Sequence, residues 1–430
     1  MVRGISVSGL PEAASITRLL NEGEVACLFP EGSISRSGQL AVFQHGYEKA
    51  AAEASGIILP FYLRGLWGSW FSRSSDKLKS TRDNGIKRDI IVSFGVPLPL
   101  STTVDQLKQR VFDLSIDSWQ RYTESLPSLP HAWLSTVKRL GSEIAVVDTL
   151  GEPLSYNKMA AVTIAFSRHI RNHNAEPHVG LLLPTSSAGA ITNMAALLCG
   201  KSVVNLNFTA SSESLAAAAD KAGLTCMYTS RKFVQRLEKK GMDIQALIER
   251  LTVYYLEDIK EELNRGTLLT NFLLVKFLPL WAVRGLFCTS VALDSPAAIL
   301  FSSGSEGEPK GVILSHRNIM ANLKQISEVL NAEGSDVVMA SLPLFHAFGL
   351  TVTTFMPLVE GIPIVCHPDP TDSVNIAKAV VKYRATILCG TSTFLRLYTK
   401  NTKVHSLMFE SLRIVVAGAE KLNPDVKKAF

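Results

Sequence analysis

The sequence predicts an α/β protein built on parallel sheets. Short apolar runs alternate with helical stretches over most of the chain, between residues 144 and 416, and this alternation is typical of sheets with helices on both faces. The length of 430 residues exceeds one ordinary core, so two or three domains are expected. A composition of 47% hydrophobic and 19% charged residues suits a globular or membrane-surface enzyme and argues against disorder.

The first 126 residues are interpreted as a small α/β unit. The elements expected there are a strand at Val25–Phe29, a helix over Gly38–Ala54 with one apolar side, and strands at Ile57–Leu63 and Ile90–Phe94. Thr103 and Gln106 have the spacing of a capping box, which predicts a helix that runs to about Leu126.

The segment Pro127-Ser128-Leu129-Pro130 interrupts the pattern, because two prolines stand close together. We therefore predict a first domain at 1–126, a linker at 127–142 and a second domain at 143–430.

The second domain is predicted to contain doubly wound parallel sheets. A long helix is expected to begin at Ser155. Its expected strands are Ile144–Val147, Val179–Leu183, Ser202–Leu206, Thr252–Leu256, Ala297–Phe301, Val337–Ala340, Ile362–Cys366, Ala385–Leu388 and Leu412–Val416.

A loop rich in glycine and serine follows the apolar run Ala297–Phe301 and precedes a helix expected from Ser315. Glycines let the backbone approach a phosphate closely, and clustered N–H groups with a cation bind its charge. The spacing is not that of a Walker loop, and a solvated turn between strands is the alternative interpretation. The candidate phosphate-binding residues are Ser302, Ser303, Gly304, Ser305, Glu306, Gly307 and Lys310.

This loop resembles the phosphate-binding loop of the adenylate-forming superfamily of acyl-CoA and acyl-ACP synthetases. Three later stretches match that superfamily in the expected order: Leu342–Leu350, Cys389–Leu395 and Val415–Leu422. Glu306 departs from the pattern, because a hydroxyl residue usually stands there. The resemblance implies ATP and Mg²⁺ as cofactors and a fatty acid as substrate. It places His346 near the acyl-adenylate and assigns Gly418, Ala419 and Glu420 to nucleotide binding.

A second candidate site follows the first expected strand. Phe29-Pro30-Glu31-Gly32 presents a carboxylate and a flexible backbone where ligands of α/β proteins usually bind, and Arg36 adds a cation suited to a phosphate. A helix N-cap with a solvated acid is the alternative interpretation of these residues.

The same block resembles the glycerol-phosphate-binding block of glycerolipid acyltransferases, and the run around Pro60 resembles that family's next block. The resemblance implies that Glu31, Gly32, Arg36 and Pro60 bind substrate. Two departures stand out: Ile34 occupies a position that often holds arginine, and no histidine precedes the block, where the family's His-x-x-x-x-Asp pair is expected. His367 and Asp372 have that spacing but lie in the wrong domain, so we interpret them as a coincidence.

The two parts in this order resemble a family of bifunctional bacterial enzymes, in which a 2-acylglycerophosphoethanolamine acyltransferase is joined to an acyl-ACP synthetase. That resemblance implies activation of a fatty acid, transfer to acyl carrier protein or CoA, and acylation of a lysophospholipid. It implies the cytoplasmic face of the bacterial inner membrane. We expect the chain to be cut at both ends and to lack the family's His-Asp pair and C-terminal lysine, so activity of the chain alone stays open.

Two alternative functions remain at this stage. One is a stand-alone long-chain fatty acyl-CoA ligase, and the other is a non-catalytic peripheral membrane protein that binds lipid or nucleotide. The net charge of +6 is concentrated at 61–90, where seven Lys and Arg face three Asp among several aromatics. We interpret this stretch as a headgroup interface rather than a nucleic-acid site, because no nucleic-acid-binding motif accompanies it.

The remaining signals are weaker. The six cysteines form no C-x-x-C pair, so the sequence contains neither a zinc motif nor a redox motif of that kind, and reduced thiols are expected. No metal-ligating residues are predicted. The apolar stretch Thr267–Leu293 is too interrupted to span a bilayer. It fits either an amphipathic segment at a membrane interface or a buried helix pair, and the sequence does not decide between them.

Overall fold

The computed structural model describes residues 10–82, 89–303 and 309–430. The chain divides into two compact units. The first unit comprises Met1–Ser125 together with Ser327–Gly334, and the second comprises Leu126–Ile326 together with Ser335–Phe430.

The first unit contains two short antiparallel ribbons, β1–β4 and β2–β3, and the long helix α4 packs against the second ribbon. Its core joins Phe43 to Val104, Leu107 and Val111 on one side of α4. Its elements are α1 (Leu10–Asn21), α2 (Gly46–Ala51), β1 (Ile57–Ile58), β2 (Phe61–Arg64), α3 (Asp76–Arg82), β3 (Ile91–Phe94), β4 (Leu98–Pro99) and α4 (Val104–Glu124).

The capping box predicted at the start of α4 is confirmed. The Thr103 hydroxyl accepts the Gln106 N–H at 3.4 Å, and the Gln106 side-chain carbonyl accepts the Thr103 N–H at 3.1 Å. Two of the four N–H groups that a helix start leaves unpaired are thus satisfied.

Three other predictions for the first unit were wrong. The described residues at Val25–Phe29 form no strand. The helix predicted over Gly38–Ala54 spans only α2: Gly38 has a φ of +74°, which a helix does not allow, and residues 40–44 form no regular element. The single strand predicted at Ile57–Leu63 is split into β1 and β2 around Pro60, which has no N–H to donate to a partner strand.

The second unit alternates strands and helices. Its elements up to the first hairpin are α5 (Leu129–Leu140), β5 (Ile144–Asp148), β6 (Leu154–Ser155), α6 (Tyr156–His173), β7 (His178–Leu182), α7 (Ser187–Leu198), β8 (Ser202–Asn205), α8 (Ser212–Lys221), β9 (Cys226–Thr229), α9 (Arg231–Lys239), α10 (Gln245–Arg250), β10 (Thr252–Tyr255), α11 (Leu256–Glu262), α12 (Arg265–Phe277), α13 (Leu280–Phe287), β11 (Pro296–Ser303) and β12 (Pro309–Ser315).

The elements that follow the hairpin complete this unit, apart from the end of α14, which belongs to the first unit. They are α14 (His316–Leu330), β13 (Val338–Ala340), a π-helix (Phe348–Phe355), α15 (Met356–Glu360), β14 (Ile364–Cys366), α16 (Ser373–Tyr383), β15 (Ile387–Gly390), α17 (Ser392–Lys400), a 3₁₀-helix (Ser406–Phe409), β16 (Ile414–Ala417) and α18 (Pro424–Ala429).

Two six-stranded sheets organise the second unit. The first sheet has the order β10-β9-β7-β8-β11-β12 and the second has the order β16-β15-β13-β14-β5-β6. Each sheet is parallel except for one antiparallel edge strand, β12 in the first and β6 in the second. The predicted α/β class with doubly wound parallel sheets is confirmed, and the strands missed from the sequence are β9 and the two antiparallel edge strands.

The segment 127–142, which we interpreted as a linker, instead contains α5. Pro130 stands in the first turn of this helix, where a missing N–H has no consequence, so the proline favours a helix start rather than a break. Trp133, Leu134 and Val137 are fully buried. The segment is therefore part of the core of the second unit.

Replacing Trp133 tests this correction. We expect Trp133→Ala to lower the free energy of unfolding of the second unit by about 3–5 kcal/mol, because it leaves a large cavity in a packed core. Denaturant titration measures the change, and Ser142→Ala, at an exposed position of the same segment, should stay within about 0.5 kcal/mol of the parent. An unchanged midpoint for Trp133→Ala would restore the linker interpretation.

Candidate functional site

The carboxyl edges of the two sheets meet in the second unit. Thr185, just after β7, donates its hydroxyl proton to the carbonyl of Leu342, just after β13, at 2.6 Å. Phe208, beyond the end of β8, packs edge to face on Phe345, with ring centroids 4.8 Å apart. Ligands of parallel sheets bind at such edges, so this junction is the natural location of a site.

The Asp148 carboxylate fixes this junction. Asp148 ends β5 in the second sheet, and it accepts the Ser187 N–H at 2.8 Å and the Ser187 hydroxyl at 2.5 Å. Ser187 begins α7, which follows β7 of the first sheet. The start of a helix that follows a strand of the first sheet is thereby bound to the end of a strand of the second sheet.

The hairpin β11–β12 carries the candidate phosphate loop. Ser302 and Lys310 face each other across this hairpin. β11 runs parallel to β8, so Ser302 lies at the same carboxyl edge as the end of β8. Lys310 is exposed. Ser303 ends β11, whereas Gly304, Ser305, Glu306 and Gly307 lie outside the described residues.

Two features shape the hairpin at the end next to its turn. The Lys221 ammonium donates to the carbonyl of Pro309 at 3.2 Å. A side chain at Gly311 would come within 3.1 Å of the Phe301 ring, so this glycine lets the strands pack closely. The hairpin thus offers a hydroxyl and an ammonium side by side at the sheet edge, and these groups fit the phosphates of ATP.

His346 follows β13 at the junction. Phe345 is buried, and the centroid of its ring lies 4.5 Å from that of His346, which is exposed. The surrounding protein nevertheless withholds water from the His346 ring and lowers its pKa. The imidazole is therefore neutral around pH 7, which is compatible with the acyl-adenylate site implied by the family resemblance.

Gly418 connects three of the sequence motifs. Its N–H donates to the carbonyl of Gly390 at 3.1 Å, across the ends of β15 and β16. A side chain at Gly418 would come within 3.0 Å of the Phe348 ring. The bare backbone at this position therefore lies against the first residue of the π-helix. Ala419 follows with a φ of +65°, a conformation that side-chain-bearing residues rarely adopt.

Glu420 binds the start of α17. Its carboxylate accepts the Thr393 N–H at 2.6 Å. This hydrogen bond lowers the pKa of Glu420, since it stabilises the charged form. Thr391 and Thr393 therefore belong to the site although they were not among the predicted site residues. The N-cap role of Thr391, whose hydroxyl accepts the Phe394 N–H, was the signal available in the sequence.

These contacts join the second, third and fourth motifs at one edge. The hairpin with Ser302 and Lys310 belongs to the first sheet. The carboxyl edge of that sheet meets the second sheet at the contact between Phe208 and Phe345. In the second sheet the neighbouring strands β13, β15 and β16 precede or carry the second, third and fourth motifs, in the same order as in the sequence.

The acyltransferase-like blocks lie together in the first unit. The rings of Phe29 and Phe61 are in edge-to-face contact at 5.8 Å, which brings the first block beside β2. The Gln44 N–H donates to the carbonyl of Pro30 at 2.7 Å, and Gly32 turns the chain with a φ of +68°.

The four predicted substrate-binding residues have different environments. Arg36 and Gly32 are exposed and Glu31 is half-buried. Pro60 is buried, and its carbonyl accepts the Gly95 N–H at 2.9 Å. Pro60 thus shapes the ribbon, whereas Glu31 and Arg36 are accessible to a ligand.

The pair His367 and Asp372, which we interpreted as a coincidence, has a structural role. His367 Nε2 lies 3.3 Å from Asp372 Oδ2, and Asp372 accepts the Asn375 N–H at the start of α16. The pair lies in the second unit at a helix N-terminus. Its place there explains the spacing without an acyltransferase role.

The described ranges contain neither a metal-binding cluster nor a membrane-spanning helix. Residues 10–82, 89–303 and 309–430 contain no cluster of three or more His, Cys, Asp or Glu side chains able to hold a metal ion. Among the helices that the structure describes, none combines the length and the apolar character required to cross a bilayer.

Comparison with known families agrees with this geometry. A family model described as "AMP-binding enzyme" matches residues 134–430, more than half of the chain. The chain belongs to the AMP-binding enzyme family. A second model, described as "Acyltransferase", matches residues 10–64, which include the Phe29–Gly32 block and Pro60.

The curated relatives include several ligases. A long-chain-fatty-acid–CoA ligase of Escherichia coli O157:H7 is 24% identical over 319 residues, which cover 68% of this chain and 55% of the relative. The 4-coumarate–CoA ligase-like 6 protein of Arabidopsis thaliana is 26% identical over 326 residues, which cover 70% of this chain and 54% of the relative. The chain thus spans about half the length of the curated relatives it matches.

Solved structures share the fold. O-succinylbenzoate coenzyme A synthetase from Bacillus subtilis, in complex with AMP, matches with a TM-score of 0.56 at 16% identity and covers 69% of this chain and 55% of that one. ATP-bound MatB from Rhodopseudomonas palustris matches with a TM-score of 0.53 at 19% identity and covers 70% and 57%. At these identities the likeness concerns the fold alone.

The Glu420–Thr393 contact predicts a distinct titration. Because the folded-state pKa of Glu420 is lowered, the stabilisation from this contact is present above the unfolded-state pKa and is lost as pH falls through the folded value. We expect the Thr393 amide resonance to titrate with a midpoint below the ordinary glutamate pKa. The titration should vanish in Glu420→Gln and persist in Glu410→Gln. A midpoint at the ordinary value would contradict the contact.

Proposed function

We propose that the second unit belongs to a fatty-acid-activating ligase and contributes its ATP and acyl-adenylate site. The observation that carries this proposal is the row of strand ends within the AMP-binding match, where Gly418 donates to Gly390 and has no room for a side chain beside Phe348, and Glu420 accepts from Thr393. The curated relatives named as long-chain-fatty-acid–CoA ligases support a fatty acid as the substrate.

The proposed chemistry has two steps. An oxygen of the fatty-acid carboxylate attacks the α-phosphorus of ATP, and the bond from this phosphorus to the bridging oxygen breaks, which releases pyrophosphate. A thiol then loses its proton to the solvent, its sulfur attacks the acyl carbonyl carbon, and the bond from this carbon to the phosphate oxygen breaks, so that AMP leaves with that oxygen. Lys310 and Ser302 would hold the β- and γ-phosphates, because an ammonium and a hydroxyl at the strand ends offset their charge.

The other groups would position the acyl-adenylate. His346, neutral at pH 7, would border the acyl group. The backbone at Gly418, where Phe348 leaves no room for a side chain, and the backbone at Ala419 would lie against the adenosine. Mg²⁺ would accompany ATP as the partner of its phosphates, and we assign it no protein ligand.

We propose acyl carrier protein as the thiol acceptor, with CoA as the alternative, and a lysophospholipid as the final acceptor of the acyl group. The Acyltransferase match at residues 10–64 supports the last step, and the contact of Phe29 with Phe61 places its two blocks side by side. Such substrates are amphiphilic, so we propose that the enzyme works at the cytoplasmic face of the bacterial inner membrane.

Pyrophosphate exchange tests the ligase proposal. We expect fatty-acid-dependent exchange between ATP and labelled pyrophosphate, and we expect Lys310→Ala to lower it roughly 10- to 100-fold, because a charge-assisted hydrogen bond to phosphate is lost. Lys382→Ala provides a matched control, since this lysine lies over the Tyr383 ring on α16.

Two outcomes would contradict the assignment. Exchange that is unchanged in Lys310→Ala would remove this lysine from the phosphate site. A folded chain that shows neither exchange nor ATP binding by calorimetry would mean that these residues do not form the site.

The acyltransferase part has its own test. Arg36→Ala should weaken binding of glycerol 3-phosphate roughly tenfold or more, because the exposed guanidinium is lost as a phosphate partner. Arg18→Ala, at an exposed arginine paired with Glu22, should leave binding unchanged. Equal binding in both variants would exclude Arg36 from headgroup recognition.

A further inference from the structure

The helix pair α12–α13 exposes an unusual apolar surface in the second unit. Leu269 is 59% exposed, Phe277 is 72% exposed and Trp281 is 78% exposed. Leu273 is also exposed, so Leu269, Leu273 and Phe277 recur every four residues on one side of α12. The α12–α13 surface, as we name these four residues, presents large side chains where a helix of a soluble domain usually has polar ones.

The opposite side of the pair is firmly packed. Asn271 and Val275 are buried, and the Asn271 amide donates to the carbonyl of Ala161 on α6 at 3.2 Å. Lys138 of α5 donates to the carbonyls of Val275 and Lys276, at 2.8 and 3.0 Å. The exposed face therefore belongs to an anchored helix and not to a loose end.

The second helix is anchored in the same way. Val283 and Phe287 are buried, and the Arg284 guanidinium donates to the carbonyl of His131 at 3.1 Å and to the hydroxyl of Ser135 at 2.7 Å. These contacts hold Trp281 on the free side of α13. The sequence left two interpretations of this stretch open, and the structure shows a pair buried on one side and apolar on the other.

The charged residues within the stretch that carries this surface are all of one sign, although Glu261 and Glu262 precede it directly. From Leu263 to Leu293 the sequence contains Arg265, Lys276 and Arg284 and no Asp or Glu. Arg265 and Lys276 are exposed and flank the apolar stripe of α12. The Lys276 ammonium lies 5.4 Å from the centroid of the Phe277 ring, so cation and aromatic form one unit.

We propose that the α12–α13 surface docks on an anionic lipid bilayer. A stripe of large apolar side chains, an exposed tryptophan and flanking cations are the features that let a helix lie in the headgroup region. A second copy of the chain fits less well, because a two-fold contact would place the same cations near each other. This inference stands on the surface itself and does not depend on the proposed catalysis.

Vesicle sedimentation tests the proposal on the whole chain. We expect binding to vesicles with equal parts of phosphatidylcholine and phosphatidylglycerol and much weaker binding to phosphatidylcholine alone. The variant L269S/F277S/W281S should bind at least about tenfold more weakly, because the apolar area that enters the bilayer is lost. The control L150S/V381S, which removes exposed apolar side chains elsewhere in the same unit, should bind as the parent.

Removal of the two exposed cations provides a second test of the membrane proposal. R265Q/K276Q should weaken binding to the anionic vesicles by roughly fivefold for each cation, and added salt should reduce the difference. K378Q/K382Q, at exposed lysines of α16, is the matched control. All of these side chains are exposed, so thermal unfolding of every variant should stay close to that of the parent.

Two results would overturn the proposal. Equal vesicle binding by L269S/F277S/W281S and the parent would remove this surface from the membrane contact. Self-association of the parent that disappears in this variant, without vesicle binding, would make the surface a contact between copies of the chain. Neither result bears on pyrophosphate exchange, which tests the ligase site separately.

Discussion

The carboxylate of Asp148 is the point on which the arrangement of the second unit depends. It ends a strand of one sheet and accepts two hydrogen bonds from Ser187, at the first turn of the helix that follows a strand of the other sheet. The N-terminus of a helix has unpaired N–H groups and partial positive charge, so a carboxylate is a stabilising partner there. Because this contact aligns the two carboxyl edges, the Thr185–Leu342 and Phe208–Phe345 contacts form beside it.

The sheets of the second unit could be predicted because parallel strands are buried on both faces. Runs such as Val179–Leu183 and Ile362–Cys366 are apolar throughout, and each lies within one or two residues of an observed strand. The first unit offered no such signal, since its strands are short and antiparallel. α5 was missed because the prolines around Leu129 were interpreted as a break, although proline is common in the first turn of a helix.

The candidate site was predictable as motifs but not as geometry. The sequence places Gly418 and Glu420 in one motif. It does not show that the Phe348 ring lies beside Gly418 or that the Thr393 N–H donates to Glu420. Such contacts come from strand order, which brings β13, β15 and β16 side by side although they are far apart in the chain. Nor does periodicity reveal the exposed stripe of α12, because both sides of that helix carry apolar residues and only the tertiary packing selects the buried one.

The exposed stripe on α12 and α13 also affects how the protein responds to temperature. Unfolding raises the heat capacity in proportion to the apolar area that becomes newly hydrated. Leu269, Phe277 and Trp281 are more than half exposed in the folded chain and Leu273 is 43% exposed, so unfolding hydrates less new apolar area on them than on buried side chains. The stripe therefore contributes less to the curvature of the stability curve than buried side chains of the same size would. A bilayer or another molecule that covered the stripe would increase the curvature of the stability curve, because more apolar surface would then become hydrated on unfolding.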